Sequence, residues 1–333
     1  MLPEKFLKLA CHAMPLYPLR FEPIFKSMLW GGRRLPEFVR RPAPSDHPVG
    51  EAWVLSDVDG NLSVVTNGPL AGKTLREVIA ADPVGVFGKH VPPDGRFPLL
   101  LKFIDAKQEL SVQVHPNDEQ AVKLKGPGHR GKTEAWVILD ADPDTSAIYA
   151  GLHAGTTADH FRDALSIGTV PEALHSFTPT VGDCVFLEAG TVHAIGADIL
   201  LFEVQQTSDI TFRLYDWERV GAKTGKPREL HVEHGLACTD FARGPVTPAT
   251  PVRDGECDQL VKCRYFSLHH RHADRPFTVG CAGECRVVVC IQGGGTIAGE
   301  RVEMGDVLLL PAAVGDVPAL PDSTMRVLEC GLM

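Results

Sequence analysis

No stretch of the 333-residue chain approaches the roughly 18 consecutive apolar residues that a membrane-spanning helix needs. An excess of basic residues is absent too, because 33 Lys and Arg against 42 Asp and Glu give a formal net charge of −9. Acidic chains of this kind are poor candidates for general binding to nucleic acid or to membrane surfaces. We therefore expect no nucleic-acid partner and no membrane partner, although this balance leaves room for a small basic pocket.

The cysteine pattern lacks the usual metal and disulfide signals. The nine cysteines include no C-x-x-C pair, and the C-x-x-x-C spacing of Cys281 and Cys285 is by itself a weak zinc signal. A clean secretion signal is also lacking, because His12, Pro15 and Pro18 interrupt the uncharged stretch near the N terminus. We therefore expect reduced thiols and a cytoplasmic location.

Glycine and proline are abundant, and patterns for long helices are scarce. The 32 glycines and 26 prolines predict many turns between short strands, so the expected fold class is mainly β. Runs rich in β-branched and aromatic residues predict strands at Gly50–Asp57, Leu62–Thr66, Phe97–Ile104, Leu110–His115, Ala135–Leu139, Cys184–Leu187, Leu200–Gln205, Ile210–Trp217, Tyr265–His269, Arg286–Ile291, Val307–Pro311 and Met325–Glu329. A few short helices are predicted after the Thr74–Glu77 capping box, where Pro83 should end the helix, and at Asn117–Lys125, Thr157–Ile167, Pro171–Ser176 and Leu230–Cys238.

One segment has the composition of a linker. Proline, threonine and glycine are concentrated in residues 243–258. We therefore predict an N-terminal extension over residues 1–16, a first domain over 17–242, this linker, and a second domain over 259–333. Both domains read as all-β barrels or sandwiches.

A faint internal repeat relates the two predicted domains. The segment from Gly182 to His193 aligns with the segment from Gly305 to Asp316, since each has Gly-Asp, apolar residues and then a tight turn. The pattern resembles the second conserved motif of cupins, which are jelly-roll barrels. His193 closes the first copy, whereas Asp316 stands there in the second. We therefore expect two cupin-like jelly-roll barrels, of which only the first keeps a metal set.

Four residues in the first domain form a candidate metal site. Gln113 and His115 lie two apart on a predicted strand, so their side chains share one face. Glu134 begins the next strong strand, and His193 follows a Gly-Thr turn. Two imidazoles, one carboxylate and one amide oxygen suit zinc or another borderline divalent ion, with coordination positions left open.

A second histidine cluster is more conspicuous in the sequence. His269, His270 and His272 are close together, and the last two share a strand face. No glutamate or further histidine follows at the spacing found in cupins. We interpret this cluster as structural or solvated.

Isolated cations lie near the predicted ligands in sequence. Lys132 is two residues before Glu134, Lys102 is eleven before Gln113, and Arg213 lies in a later predicted strand. Together with a zinc ion and one carboxylate they would give a pocket of roughly +4, which suits a phosphate dianion and a developing oxyanion. The alternative is that each is an ordinary surface ion-pair residue.

Several longer motifs carry a family resemblance. Over residues 17–240 the chain resembles type I mannose-6-phosphate isomerases, in particular the short bacterial form. The motifs that carry the resemblance are Leu29-Trp-Gly-Gly32, Val49-Gly-Glu-Ala-Trp53 with Ser56, Phe97-Pro-Leu-Leu-Leu-Lys102, Leu110-Ser-Val-Gln-Val-His-Pro116, Gly131-Lys-Thr-Glu-Ala-Trp136, Gly190-Thr-Val-His-Ala-Ile-Gly196 and Gln205-Gln-Thr-Ser-Asp-Ile-Thr-Phe-Arg-Leu-Tyr-Asp216. Beyond residue 245 the resemblance is weak.

The resemblance implies one zinc ion per chain. By position, its ligands fall on Gln113, His115, Glu134 and His193.

The resemblance also assigns the groups around the metal. The active-site arginine falls on Arg213, the pocket lysines fall on Lys102 and Lys132, and a phosphate-contacting serine falls on Ser111. Val137 and Phe212 depart from frequent tyrosines of the family, which affects pocket shape and none of the ligands.

The implied reaction interconverts mannose 6-phosphate and fructose 6-phosphate through a cis-enediol. Arg213 would support ring opening and stabilise the enediolate, while Ser111 and one or both lysines would hold the phosphate. The group that moves the C1/C2 proton stays open between Lys132, Glu203 and a zinc-bound water. The alternatives are a metal-dependent cupin oxygenase, a non-enzymatic sugar-phosphate-binding cupin, and an isomerase of the same fold for another phosphosugar.

Overall fold

The structure, a computed structural model, describes residues 15–43, 46–220 and 225–333. Within these ranges the chain is mainly β, which confirms the expected fold class. The predicted N-terminal extension lies outside the described residues except for its last two positions. None of the helices in the described ranges has the length and apolar character needed to span a membrane.

Residues 24–215 form two antiparallel sheets and a small hairpin. The strands are β1 (Ile24–Gly32), β2 (Val49–Leu55), β3 (Asp57–Val58), β4 (Asn61–Leu62), β5 (Leu99–Ala106), β6 (Val112–Val114), β7 (Glu134–Ala141), β8 (Ile148–Leu152), β9 (Leu174–Phe177), β10 (Cys184–Leu187), β11 (His193–Ile195), β12 (Ile199–Gln206) and β13 (Phe212–Tyr215). One sheet has the order β1-β2-β5-β12-β7-β10 and the other the order β13-β6-β11-β8-β9, while β3 pairs with β4. We call the two large sheets the first sandwich.

Residues 252–332 form a second pair of antiparallel sheets. The strands are β14 (Val252–Asp254), β15 (Cys257–Lys262), β16 (Phe266–Ala273), β17 (Phe277–Val279), β18 (Arg286–Gln292), β19 (Gly294–Ile297), β20 (Glu300–Glu303), β21 (Val307–Leu310), β22 (Val317–Pro321) and β23 (Met325–Leu332). Their sheets have the orders β14-β15-β16-β23-β18-β21 and β17-β22-β19-β20, and we call them the second sandwich.

The segment predicted as a linker is partly structured. Strand β14 and the first residues of β15 lie inside residues 243–258. Earlier in the segment, the Val246 and Ala249 amides donate hydrogen bonds to carbonyls of the first sandwich, at 3.0 and 2.7 Å. This stretch is therefore tied to both sandwiches along its length, and the domain limits themselves stay a prediction.

The helices are short and lie between strands. Their bounds are α1 (Leu35–Phe38), α2 (Leu75–Ala81), α3 (Pro83–Phe87), α4 (Asp118–Lys125), α5 (Ala158–Ile167), α6 (Val170–Ala173) and α7 (Val232–Cys238), with a 3-10 turn at Gly68–Leu70. The Thr74–Glu77 capping box is present as predicted, and α2 ends before Pro83, which begins α3.

Two local predictions are wrong. The predicted helix Pro171–Ser176 ends at Ala173, because Leu174 pairs with Leu152 of β8 and packs in the core, which extends the chain into β9. The predicted strand Leu62–Thr66 is reduced to its first residue, since the following valines make only isolated bridges.

Apolar side chains form layers within and between the sandwiches. One cluster fills the first sandwich, another fills the second, and a third lies between the two six-stranded sheets. Strand β5 shows how the layers separate, because Leu101 and Phe103 join the shared core while Ile104 faces the interior of the first sandwich. Lys102 shares the face of Ile104, so a charged side chain points into that interior.

The ends of the described chain are also joined. Leu19 forms a bridge with Leu309, and each amide donates to the other carbonyl at 2.9 Å. Both residues are fully buried in the shared core. The segment that leads into the first sandwich therefore pairs with β21, a strand near the end of the second sandwich.

Candidate active site

Three predicted metal ligands meet between the two sheets of the first sandwich. Glu134 is the first residue of β7 and His193 the first of β11, while His115 directly follows β6. Glu134 Oε1 lies 3.3 Å from His193 Nε2, and Glu134 Oε2 lies 3.5 Å from His115 Nε2. All three side chains are buried, and one donor atom from each lies within 4.8 Å of the others.

Backbone carbonyls fix the tautomers of the two imidazoles. Nδ1 of His115 donates to the Ile210 carbonyl at 3.0 Å, and Nδ1 of His193 donates to the Thr191 carbonyl at 2.9 Å. Because a carbonyl can only accept, each Nδ1 carries the proton and each Nε2 lone pair faces Glu134. Burial is the largest cause that lowers both pKa values, that of His193 to about 4 and that of His115 well below its usual range. Both rings are therefore neutral at pH 7 and able to ligate.

The Glu134 carboxylate tests whether this cluster fits a metal ion. Both of its oxygens are buried, and the described residues donate no hydrogen bond to Oε1. Oε2 forms an ion pair with the Lys132 ammonium at 2.9 Å, and this ammonium also lies 2.9 Å from His115 Nε2. A buried carboxylate with a single ion pair, beside two neutral imidazoles, is a donor set that fits a borderline divalent ion such as zinc.

Gln113 lies next to the same cluster. It pairs with His193 across β6 and β11, and its amide nitrogen lies 3.3 Å from His193 Nε2. Reversing the amide would turn its oxygen toward that nitrogen and toward the metal cluster. The strand alternation that placed Gln113 on the site face therefore agrees with the structure, and its role as a ligand stays a prediction.

Two lysines and two further glutamates surround the cluster. Lys102 Nζ lies 3.4 Å from both Glu51 Oε2 and Glu203 Oε1, and Lys132 Nζ lies 3.8 Å from Glu203 Oε1. Burial alone would lower the pKa of Lys102, but the carboxylates of Glu203, Glu51 and Glu134 raise it overall. Lys102 is therefore charged, buried and paired with carboxylates, so it is not a surface ion-pair residue.

The two extra glutamates differ in protonation behaviour. Burial raises the pKa of Glu203, and the nearby Glu134 carboxylate adds to this shift against the effect of Lys102. For Glu51, burial would raise the pKa, but Lys102 and a hydrogen bond from the Trp53 indole, at 2.6 Å, lower it overall. These carboxylates make the site less positive than the value of roughly +4 expected from the sequence.

The remaining predicted residues form another wall of the site. Arg213 Nε donates to Ser111 Oγ at 3.3 Å, and Nη1 donates to the Glu229 carbonyl at 2.8 Å. Burial is the largest cause that lowers the pKa of Arg213, and the neighbouring Arg228 acts in the same direction. Ser111 is buried, and its hydroxyl lies next to the Arg213 guanidinium.

These walls enclose one cavity of about 390 Å³. Lys102, Lys132, Ser111, Gln113 and Arg213 all line it. Through Gln113 and Lys132 the cavity reaches the imidazoles of the metal cluster. The structure thus brings all eight predicted site residues to one place.

Sequence reasoning missed Glu51 and Trp53 as site residues, although both line this cavity. A usable signal was present, because Glu51 interrupts the apolar run of β2, all of which is buried. A carboxylate inside such a run needs a cation partner, which here is Lys102.

Comparisons with known proteins agree with this geometry. The model of the family described as phosphomannose isomerase type I, catalytic domain, matches residues 19–145. Mannose-6-phosphate isomerase ManA of Bacillus subtilis is 37% identical over 310 residues, which cover 91% of this chain and 96% of that protein. A mannose-6-phosphate isomerase of Streptococcus mutans is 32% identical over 303 residues, covering 89% and 93%.

A solved structure extends the likeness to the fold. The crystal structure of the mannose 6-phosphate isomerase from Bacillus subtilis superposes with a TM-score of 0.83 at 29% identity, covering 93% of this chain and 99% of that one. Fold, site and relatives together define an isomerase built on a cupin-like β frame. The chain belongs to the type I phosphomannose isomerase family.

Proposed function

We propose that this chain is a zinc-dependent aldose–ketose isomerase that interconverts mannose 6-phosphate and fructose 6-phosphate through a cis-enediol. The observation that carries the proposal is the position of the His115–Glu134–His193 cluster beside a cavity of about 390 Å³ lined by buried lysines and Arg213. An aldose–ketose change develops negative charge on oxygen, and fixed cations in a buried site stabilise such charge well.

Gln113, His115, Glu134 and His193 would hold the zinc ion. When bound, zinc would supply a Lewis acid that polarises the sugar oxygens. The protein's own contribution is to hold both Nε2 atoms and both Glu134 oxygens close together. Among the described residues, the polar side-chain atoms that contact them belong to this cluster, to Gln113 and to Lys132.

The charged side chains divide between phosphate binding and charge stabilisation. We assign phosphate contacts to Ser111, Lys102 and Lys132, and stabilisation of the open-chain oxyanion to Arg213, which contacts Ser111. Each lysine also faces glutamates, so a phosphate dianion competes with carboxylates for it. A variant at a phosphate-binding lysine should raise KM strongly, whereas a loss in kcat at unchanged KM would assign that lysine to the enediolate.

Lys132 and Glu203 are both placed to move the C1/C2 proton. Both line the cavity, they lie 3.8 Å apart, and the raised pKa of Glu203 brings this carboxyl closer to the working pH of a proton carrier. Replacing Glu203 by Gln and Lys132 by Met, each assayed for exchange of the C1/C2 hydrogen with solvent deuterium, separates them. The proton carrier is the residue whose variant loses exchange while still binding substrate.

The decisive experiment is a coupled assay with mannose 6-phosphate on metal-free and zinc-loaded protein. We expect turnover that chelation abolishes and zinc restores. Absence of turnover in zinc-loaded, folded protein would refute the proposal. A parallel panel of phosphosugars tests substrate identity, and oxygen consumption by iron-loaded protein would instead favour a cupin oxygenase.

A further inference from the structure

A second cluster of metal-ligating side chains lies in the second sandwich, far along the chain from the first. His270 and His272 alternate on β16, and Asp258 on β15 is the direct cross-strand partner of His270. All three therefore project from the same face of the sheet. One donor atom from each of them lies within 4.8 Å of the other two.

Two ring nitrogens of this cluster lack partners. His270 Nε2 and His272 Nδ1 are buried and make no hydrogen bond, and the two rings lie 5.4 Å apart at 26°. The Asp258 residue beside them is only 6% exposed. Buried polar atoms are normally satisfied, so two unsatisfied imidazole nitrogens next to a buried carboxylate call for a ligand.

The cations that face the cluster across the neighbouring strands lie at the protein surface. Arg326 is the cross-strand partner of His272 and Arg253 is that of Asp258, and both are exposed to solvent. Their charges oppose a cation at the cluster, but solvent screens them.

The cluster is separate from the position where the sequence repeat would place a metal. Leu268 and Leu328, which neighbour His270 along β16 and across to β23, pack in the core between the sandwiches. The three residues therefore lie outside the interior of the second sandwich, on the face of its six-stranded sheet that is turned toward the first sandwich. The repeat motif ends instead at Asp316, in the turn before β22.

We propose that Asp258, His270 and His272 form a second metal site that binds a borderline divalent cation such as Zn²⁺. Two imidazoles and one carboxylate are common zinc donors, and water would complete the coordination. Tetrahedral zinc with bonds of about 2.0–2.1 Å places its donor atoms roughly 3.3 Å apart, so small side-chain rotations would close the present spread. The bound ion would crosslink β15 to β16.

Counting bound zinc tests this site independently of catalysis. Metal-free protein is titrated with Zn²⁺ against a chromophoric chelator, and we expect two ions per chain for the wild type. His270→Asn should bind one, and Asp258→Asn should bind the second ion at least about 100-fold more weakly, since even outer-shell partners contribute about 10- to 100-fold. His269→Asn is the matched control, because this neighbour projects from the opposite face and should leave two ions.

A complementary variant keeps the two sites distinguishable. His193→Asn should lose the ion at the first cluster and keep the one at Asp258, His270 and His272, shown by tetrahedral cobalt absorption after loading with Co²⁺. Circular dichroism verifies that each variant is folded, and Asp258→Asn serves as the probe if His270→Asn does not fold. A single zinc ion in the wild type that His193→Asn removes, or two ions in both second-sandwich variants, would overturn the proposal whether or not the protein turns over sugar phosphates.

Discussion

Replacing Asp118 by Ala should weaken both the stability and the activity of the protein. Asp118 begins α4, and its Oδ1 accepts hydrogen bonds from the Gly131 amide at 2.8 Å and from Gln206 Nε2 at 3.0 Å. Its Oδ2 accepts one from the Tyr265 hydroxyl of the second sandwich at 2.7 Å. Gly131 precedes Lys132, so one carboxylate connects the second sandwich to the segment that carries a catalytic candidate.

The expected magnitude follows from these three hydrogen bonds. A hydrogen bond to a charged group contributes about 1.5–3 kcal/mol, but Asp118 is half-buried and water can replace part of what is lost. We therefore expect the free energy of unfolding to fall by about 2–4 kcal/mol. Displacing Lys132 by about an ångström should lower kcat roughly 100-fold.

The same carboxylate gives the prediction a pH signature. Burial would raise the pKa of Asp118, but hydrogen bonds from Tyr265, Gly131 and Gln206 lower it overall. A group whose pKa is lower in the folded state stabilises above its unfolded pKa of about 4 and loses this contribution as the pH falls through its folded pKa. The stability difference between wild type and variant should therefore shrink under acidic conditions.

Urea denaturation at pH 7 and at about pH 3, together with steady-state kinetics, measures these effects. Tyr265→Phe is the matched control, because it removes one hydrogen bond and leaves the contacts of Asp118 to Gly131 and Gln206. It should cost about 1 kcal/mol and leave kcat near the wild-type value. Wild-type kcat in Asp118→Ala, or a kcat loss as large in Tyr265→Phe, would refute this reasoning.

Three further changes have defined outcomes. Glu134→Gln should abolish stoichiometric zinc binding at the first cluster and lower isomerase activity at least about 1,000-fold, measured by metal analysis and the coupled assay. Lys102→Met should lower the free energy of unfolding by about 3–5 kcal/mol, because it leaves buried carboxylates without their cation, and adding Glu51→Gln should restore part of the loss in denaturant titrations. Burial would raise the pKa of Glu284, but Lys89 in particular lowers it overall to about 2, so its stabilising contribution is present above about pH 4.5 and lost toward pH 2. The stability advantage of wild type over Glu284→Gln should accordingly be larger at pH 6 than at pH 3 in thermal unfolding.

Local periodicity was enough to predict part of the site. The two-residue spacing of Gln113 and His115, and of Lys132 and Glu134, placed each pair on one side of an extended chain. In the structure both pairs do face the metal cluster. Such predictions succeed because alternation depends only on neighbouring residues. The link to His193 came instead from the cupin-like Gly182–His193 motif, and the family resemblance that the comparisons confirm agrees with it.

Features that depend on strand order could not be predicted in this way. Glu203 pairs with Lys102 across β12 and β5, and Trp53 pairs with Lys102 across β2 and β5, although these residues are far apart in sequence. No local pattern specifies which strands become neighbours. The expected positive charge of the site was therefore too high, because the carboxylates that accompany the lysines come from other strands.

The second histidine cluster shows the same limit. The sequence places His270 and His272 on one face, but no carboxylate follows them at the spacing found in cupins. Asp258 lies upstream, on the other strand of a hairpin, and only the register of β15 against β16 brings it opposite His270. From the sequence alone, the histidines are interpreted as structural or solvated side chains. The register of β15 against β16 adds Asp258 as the third potential donor.

The bridge between Leu19 and Leu309 has a consequence for the protein's synthesis. A ribosome adding about 5–20 residues per second makes residue 309 roughly 15–60 s after residue 19. From the completion of β13 until the end of that interval, the first sandwich has all of its own strands but not the one that covers Leu19. Its shared apolar face stays uncovered until translation is nearly finished, so the nascent chain acquires its native surface only as its last strands leave the exit tunnel.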